Sequence, residues 1–261
     1  MIYFLSDAHL GSLATERGWA QQAKLIQLLE EMRKDAESIY LLGDMFDFWM
    51  EYYRRDKKKR EFAPFFTELR RLTESGIHVH FFIGNHDMWT FGGIEELCGA
   101  EVHYSPASVT HYGKTLYLCH GDGVMPSNWQ RLYPKPIVKK IKRFMFLQKV
   151  FHNSFLQKCF RCLPPSWGNH FGYNWAKKSR LKELAKPCPY KGEDKEELVL
   201  FAKEQEELGN HHDYYVFGHR HIELDLQIRR DSRVIILGDC FRQWTYAKLD
   251  DQGKLSLHNF D

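Results

Sequence analysis

Ile2-Tyr3-Phe4-Leu5-Ser6-Asp7-Ala8-His9 opens the chain with four apolar residues that run straight into a polar cluster. Ser38-Ile39-Tyr40-Leu41-Leu42-Gly43-Asp44 repeats the arrangement, and the run from Ile77 to Ile83, broken at Gly84-Asn85, repeats it again. Short runs of β-branched, aromatic and aliphatic residues bounded by turn residues read as buried strands. Helical patterns separate them. Trp19, Ala23, Ile26 or Leu28, Leu29 and Met32 recur near a period of 3.6, and so do Phe62, Phe65, Phe66, Leu69 and Leu72, with Gly76 as the stop signal. Three strands that each deliver polar residues at their carboxyl ends predict an α/β sheet whose ligand binds outside those ends.

Beyond Asn85 the pattern shortens to strands at 102–104, 108–111 and 115–119, the last entering His120-Gly121-Asp122. Strand signals return at Tyr214 to Phe217, followed by Gly218-His219-Arg220-His221, and continue at 223–228, 233–237, 244–249 and 254–259. Between these blocks the alternation stops. The expected organisation is a core of residues 1–124 and 211–261, interrupted by a basic, aromatic-rich helical insertion at 125–210.

Apolar residues at 43% and charged residues at 27% describe a folded chain rather than a disordered one. The first residues offer neither the basic leader nor the apolar length of a signal peptide, and no run approaches the ~18 apolar residues of a spanning helix. The expectation is a cytoplasmic protein. Six cysteines, at 98, 119, 159, 162, 188 and 240, are too sparse for a disulfide framework and read as free thiols. The alternative for Cys159-x-x-Cys162 is a zinc site, but no flanking second pair completes one. The net charge of +3 conceals a division: Gly123 to Lys182 contains 13 Lys and Arg and not one Asp or Glu.

Five segments hold the residues that carry chemistry: Asp7-Ala8-His9, Gly43-Asp44-Met45-Phe46-Asp47, Gly84-Asn85-His86-Asp87, His120-Gly121-Asp122 and His219-Arg220-His221. Each is weak alone. Together, Asp7 with His9 and His219 with His221 are two pincers, each pair placed on one side of an extended backbone. Asp44, Asn85 and His120 complete seven neutral or anionic groups that two divalent ions can share, with the Asp44 carboxylate as the natural bridge. Mixed nitrogen and oxygen donors suit Mn²⁺, Fe or Zn²⁺ better than Mg²⁺.

The ordered series DAH, GDMFD, GNHD, HGD and GHRH resembles the calcineurin-like metallophosphoesterase superfamily. The resemblance implies a four-layer β-sandwich flanked by helices, here with an inserted helical cap. It implies one metal held by Asp7, His9, Asp44 and His221 and a second held by Asp44, Asn85, His120 and His219. His86 would contact the reacting phosphoryl group, Asp87 would hold the His86 imidazole, and Asp47 and Asp122 would brace the ligands or their loops. Water placed between two such ions is a nucleophile near neutral pH, so no serine or cysteine nucleophile is required.

The insertion bears on what is hydrolysed. Ile137, Ile141, Phe144, Leu147, Phe151 and Phe155 follow a helical period beside Lys139, Lys140, Lys142, Arg143 and Lys149. Pro164-Pro165 marks a break, a second helix is expected from Tyr173 to Leu184, and a more acidic one from Asp194 to Leu208. A basic amphipathic surface suits anionic lipid, a phosphorylated amphiphile or nucleic acid, and the plain alternative is a small helical subdomain with its own core. Trp129, Trp167 and Trp175 are either interface anchors or core residues. The layout is similar to that of the UDP-2,3-diacylglucosamine hydrolases of lipid A biosynthesis. That resemblance implies cleavage of the diphosphate of UDP-2,3-diacylglucosamine to UMP and 2,3-diacylglucosamine 1-phosphate, at the cytoplasmic face of the inner membrane and with no obligate protein partner. That family commonly carries Arg after the amide ligand, where this chain has His86, and GHTH where this chain has Gly218-His219-Arg220-His221. Other readings are a phosphodiesterase or nuclease, a phosphatase acting on another phosphorylated lipid or nucleotide, and a non-enzymatic scaffold.

Overall fold

The computed structural model of the chain describes residues 1–14, 18–151, 153–185 and 189–261. In chain order the elements are β1 (Ile2–Leu5), α1 (Gly18–Met32), β2 (Ser38–Leu42), α2 (Ala63–Glu74), β3 (His78–Phe82), α3 (Gly93–Cys98) and β4 (Glu101–His103). Next come β5 (Ala107–His111), β6 (Lys114–Cys119), α4 (Trp129–Leu132), α5 (Lys135–Phe151), α6 (Ser154–Arg161), α7 (Pro165–Ala185) and α8 (Glu197–Glu207). The chain finishes with β7 (Tyr214–Phe217), β8 (Glu223–Arg229), β9 (Ser232–Leu237), β10 (Thr245–Leu249) and β11 (Leu255–Asn259).

Two mixed sheets stack face to face. One runs β11-β10-β1-β2-β3-β4 and the other β5-β6-β7-β9-β8. Strands β1 to β4 are parallel neighbours, as are β6, β7 and β9. Alternation within each strand divides its side chains between two layers. Ile2, Phe4, Tyr40, Leu42 and Phe82 meet Leu116, Leu118, Val216 and Ile235 between the sheets. Tyr3, Leu5, Ile39, Leu41 and Phe81 face outward onto Leu25, Leu29, Phe65 and Leu69 of α1 and α2. On the far side, α8 sets Leu198, Val199 and Ala202 against Tyr215, Phe217 and Ile236. The expected α/β architecture, two sheets flanked by helices and carrying an inserted helical region, is the one observed.

The insertion departs from its expected helices in two places. The helical period continues from Ile137 to Phe155, yet the chain forms α5 and α6 separately. Asn153 is the N-cap of α6, its side chain accepting from the backbone N–H of Phe155 and Leu156. The second helix, expected from Tyr173, begins at Pro165. Gly168 and Gly172 hide it from the sequence pattern because glycine lowers helix propensity. Here they allow close packing: a Cβ would lie 2.1 Å from Tyr52 Oη at Gly168 and 2.3 Å from the Phe48 ring at Gly172. The six-residue α3 was not anticipated.

From Lys135 to Pro165 no residue whose burial is described is buried, so α5 and α6 have no core of their own. Trp129 is buried, whereas Trp167 and Trp175 are exposed. Cys98, Cys119, Cys159, Cys162 and Cys240 are free thiols, the first two and the last buried, and Cys188 lies outside the described residues. No helix among the described residues is long and apolar enough to cross a membrane.

Candidate metal centre

All five polar clusters sit at the carboxyl ends of parallel strands: Asp7 after β1, Asp44 after β2, Asn85 after β3, His120 after β6 and His219 after β7. Past the ends of β1 and β2 the two loops stay paired, with His9 N–H donating to Asp44 O, Leu10 N–H to Met45 O and Asp47 N–H to Leu10 O. Met45 and Phe46 are wholly buried, Phe46 stacking on Trp49 and Phe66. Within one short motif, therefore, two apolar residues anchor the loop while Asp44 turns into the cleft and Asp47 lies behind the His9 ring.

The pincers form differently from the extended arrangement expected. Seven non-glycine residues among those described have positive φ, and five of them are Asp7 (55°), His9 (46°), Asp44 (52°), His219 (65°) and His221 (49°). Left-handed turns, rather than strand alternation, converge these side chains. Each such residue costs about 1–3 kcal/mol and persists only where its surroundings hold it, as functional sites commonly do. Gly84 sits so close to Asp44 that a Cβ there would be 2.2 Å from Oδ1.

Asp7, His9 and His221 place donor atoms within 4.8 Å of one another, as do Asp44, His120 and His219, and His9, Asp44 and His86 form a third such group. His221 Nε2 lies 3.1 Å from Asp7 Oδ1, His9 Nε2 lies 3.5 Å from the same oxygen, and His120 Nε2 lies 3.2 Å from Asp44 Oδ2. The opposite nitrogens face outward. His120 Nδ1 pairs with Leu42 O at 2.8 Å, His9 Nδ1 faces Asp47 Oδ1 at 3.4 Å and His221 Nδ1 faces Glu183 Oε1 at 3.0 Å. The Leu42 carbonyl fixes the His120 tautomer, while Asp47 and Glu183 lie beside the outer nitrogens of His9 and His221 as charged neighbours without a formed hydrogen bond. The donor set fits divalent cations by a second criterion: Asp7 Oδ1, Asn85 Oδ1 and His120 Nε2 are buried without a hydrogen-bond partner. Buried polar atoms are seldom left so.

The electrostatics agree. Burial alone would raise Asp7 and Asp44, but His221 beside the first and His120 beside the second hold both carboxyls well below the usual range. Burial would lower His221, yet Asp7 and Glu183 hold it up at about 9. Burial pushes His219 down to about 3 and lowers His86 as well. Such carboxylate–imidazole pairs hold protons that a divalent cation displaces on binding.

Asp47 Oδ1 faces His9 Nδ1, and Arg180 reaches the same carboxylate at 3.6 Å. Asp122 lines a separate cavity of about 170 Å³ behind His120. The expectation for Asp87 is corrected. His86 Nδ1 hydrogen-bonds the backbone carbonyl of Asp47 at 2.6 Å, while Asp87 accepts from Gly84 N–H at 2.6 Å and Met45 N–H at 2.9 Å. Asp87 thus ties the second and third clusters together and leaves the imidazole to a carbonyl. Burial, with Asp44 nearby, pushes its carboxyl up to about 7.

The insertion reaches the centre through α7, which was not foreseen. Trp175 packs on His86 with ring centroids 5.2 Å apart, buried Arg180 pairs with Asp47 and Glu183, and Glu183 bridges His221 and Arg242. The sequence does contain a signal, since Glu183 is the first carboxylate after the acid-free run. Two cavities meet here. A polar cleft of about 540 Å³ contains His9, Asp44, His219 and His221 with Arg180 and Lys182. An apolar chamber of about 310 Å³ is lined by Trp49, Trp89, Phe151, Phe160, Phe171 and Trp175, and both cavities include Asn85 and His86.

A family profile for calcineurin-like phosphoesterases matches residues 1–223. The UDP-2,3-diacylglucosamine hydrolase of Porphyromonas gingivalis is 35% identical over 259 residues, covering 95% of this chain and 94% of that one. The corresponding hydrolase of Haemophilus influenzae (strain Rd) is 24% identical over 256 residues, 98% of this chain and 97% of that one. Among solved structures, a dimetal phosphatase from Danio rerio aligns with a TM-score of 0.45 at 11% identity, covering 94% of this chain and 91% of that one. With its histidine and aspartate clusters able to bind one or two divalent ions, the chain is a metal-dependent phosphoesterase and belongs to the calcineurin-like phosphoesterase family.

Proposed function

We propose that this phosphoesterase hydrolyses the diphosphate of UDP-2,3-diacylglucosamine to UMP and 2,3-diacylglucosamine 1-phosphate. The observation that carries the reading is the apolar chamber lying beside the polar cleft, with Asn85 and His86 lining both. A substrate with a charged diphosphate and acyl chains needs those two environments side by side. The relatives named above are hydrolases of that compound.

In this reading Asp7, His9, Asp44 and His221 hold one cation, and Asp44, Asn85, His120 and His219 hold the other, with Mn²⁺ preferred and Fe or Zn²⁺ as alternatives. Bound there, the two ions supply Lewis acidity and an activated water for attack on the phosphorus of the uridylate side. Lys182 and Arg180 line the cleft and favour the diphosphate charge. His86, pinned through Nδ1 to the carbonyl of Asp47, turns Nε2 to the junction of the two cavities. Burial lowers the proton affinity of its ring. A phosphate oxygen alongside raises it again, so that the ring would take up a proton from solvent at Nε2 and donate a hydrogen bond from there to the phosphoryl oxygen. Trp175, Phe171 and Phe160 exclude water around the acyl chains.

The same cap addresses the molecule to anionic lipid. Phe144 and Phe146 of α5, Phe155 of α6 and Trp167 of α7 are exposed, and α5 also carries Lys139, Lys140, Lys142 and Arg143. We place the enzyme at the cytoplasmic face of the inner membrane on that basis. Purified protein supplied with Mn²⁺ should release UMP from UDP-2,3-diacylglucosamine. Hydrolysis of DNA or RNA in preference to that substrate would replace the reading with a nuclease.

A further inference from the structure

Away from the catalytic cleft, the edge of the six-stranded sheet gathers a second set of donors. Strand β4 closes that edge, and its register against β3 places Glu101 opposite His80 and His103 opposite Phe82, so the three polar side chains share one face. His80 Nδ1 lies 3.1 Å from His103 Nε2 and 3.2 Å from Glu101 Oε2, and His103 Nε2 lies 3.7 Å from Glu101 Oε1. Neither ring is free to swing. Tyr40 stacks on His80 at 4.3 Å and 8°, and Phe82 stacks on His103 at 4.4 Å and 14°. The two imidazoles are largely buried, 17% and 19% exposed, while the carboxylate, 67% exposed, faces solvent. Burial holds His80 down at about 4 and lowers His103, so both rings offer lone pairs at neutral pH.

We propose that His80, Glu101 and His103 form a zinc site distinct from the catalytic centre, in which one Zn²⁺ clamps the edge strand β4 to β3. Tetrahedral zinc with bonds of about 2.0–2.1 Å needs neighbouring donors about 3.3–3.4 Å apart. The three observed separations bracket that spacing. Two imidazoles and one carboxylate, with a fourth position left to water, are a donor set zinc accepts, whereas Mg²⁺ and Ca²⁺ prefer oxygen alone. The ion would tie down a three-residue edge strand, the part of a sheet most open to fraying and to mispairing with another chain. Without it, the same geometry amounts to a histidine pair sharing one hydrogen bond beside a glutamate.

The test uses the full chain with Zn²⁺ as the probe. Anomalous difference maps recorded at the zinc edge from wild-type crystals should show a peak bounded by His80 Nδ1, His103 Nε2 and the Glu101 carboxylate. Wild type should also retain one more zinc per chain on equilibrium dialysis than Glu101→Gln or His103→Asn. Because Glu101 is exposed, Glu101→Gln leaves the packing of the rings intact, and its affinity at this site should fall by at least the ~10–100-fold that loss of an outer partner costs. Hydrolysis supported by Mn²⁺ should stay within twofold of wild type in both variants. The proposal is overturned by equal zinc stoichiometry in wild type and variants, by no peak at this edge when the catalytic centre is filled, or by a peak appearing only at a large excess of zinc. Loss of Mn²⁺-supported hydrolysis in both variants would also overturn it, by making the cluster part of the catalytic machinery.

Discussion

Replacing Glu183 with alanine should weaken metal binding although Glu183 is itself no ligand. Its Oε1 lies 3.0 Å from His221 Nδ1 and presents the imidazole with Nε2 inward, 3.1 Å from Asp7. Loss of such an outer partner costs ~10–100-fold in metal affinity or activity. The effect should vary with pH. Asp7 and Glu183 outweigh burial and hold His221 at about 9, so below that pH a proton competes with the cation for Nε2. Removing Glu183 lowers affinity for the proton as well as for the metal, and the deficit should therefore be full near pH 9.5 and shrink toward pH 6.5. Equilibrium dialysis with Mn²⁺ across that range measures it directly. Glu183 also pairs with Arg180, which is only 3% exposed, so melting temperatures must be recorded alongside. Glu183→Gln keeps a hydrogen-bond acceptor for both partners and should fall between wild type and alanine. A folded Glu183→Ala protein that binds Mn²⁺ as wild type does at pH 9.5 would refute the reasoning.

His86→Ala should lower kcat by ~10²–10⁴-fold with both metals still bound, whereas Asp44→Ala should lose metal and activity together, which metal analysis beside steady-state kinetics distinguishes. Phe160→Ala removes a half-buried ring that stacks on Trp89 in the apolar chamber, and at about half the ~1.5–3 kcal/mol of a fully buried apolar side chain should raise KM for the diacyl substrate ~3–10-fold with kcat little changed. Metal-free protein should melt at progressively lower temperature from pH 7 to pH 9. The raised folded pKa of His221 contributes stability that is complete below its ordinary value of 6.5 and is lost as pH rises through about 9. Scanning calorimetry in chelator checks this, and a flat or rising profile across that window would contradict the assignment.

Much of this was legible because each chemical cluster follows a short apolar strand. Tyr214 to Phe217 and Ser38 to Leu42 read as strands on composition and length, and the polar residues after them could only lie at carboxyl ends. Backbone handedness was not legible. Nothing in the sequence Asp7-Ala8-His9 distinguishes two residues in left-handed turns from an extended pair, yet the turns make the convergence. The role of Asp87 depended on which N–H groups the loop would present, and those of Gly84 and Met45 reached it before the His86 ring did. Glu183, Arg180 and Trp175 were missed for another reason. The helix that carries them was legible from Tyr173 onward, but its approach to the centre was not: that depends on Gly168 and Gly172, which let α7 pack closely on Tyr52 and Phe48.

The central claim is that the apolar chamber and the metal cleft act on one acylated substrate. The most direct measurement is the ratio of kcat/KM for UDP-2,3-diacylglucosamine to that for UDP-glucosamine without acyl chains, on the same Mn²⁺-loaded preparation with UMP as the product followed. At ~0.8 kcal/mol per buried methylene, even four methylenes held in the chamber correspond to ~10²-fold, so the account predicts a ratio of at least that order. Equal values for the two substrates, or no UMP from the acylated one while the same preparation hydrolyses a simple phosphodiester, would contradict it.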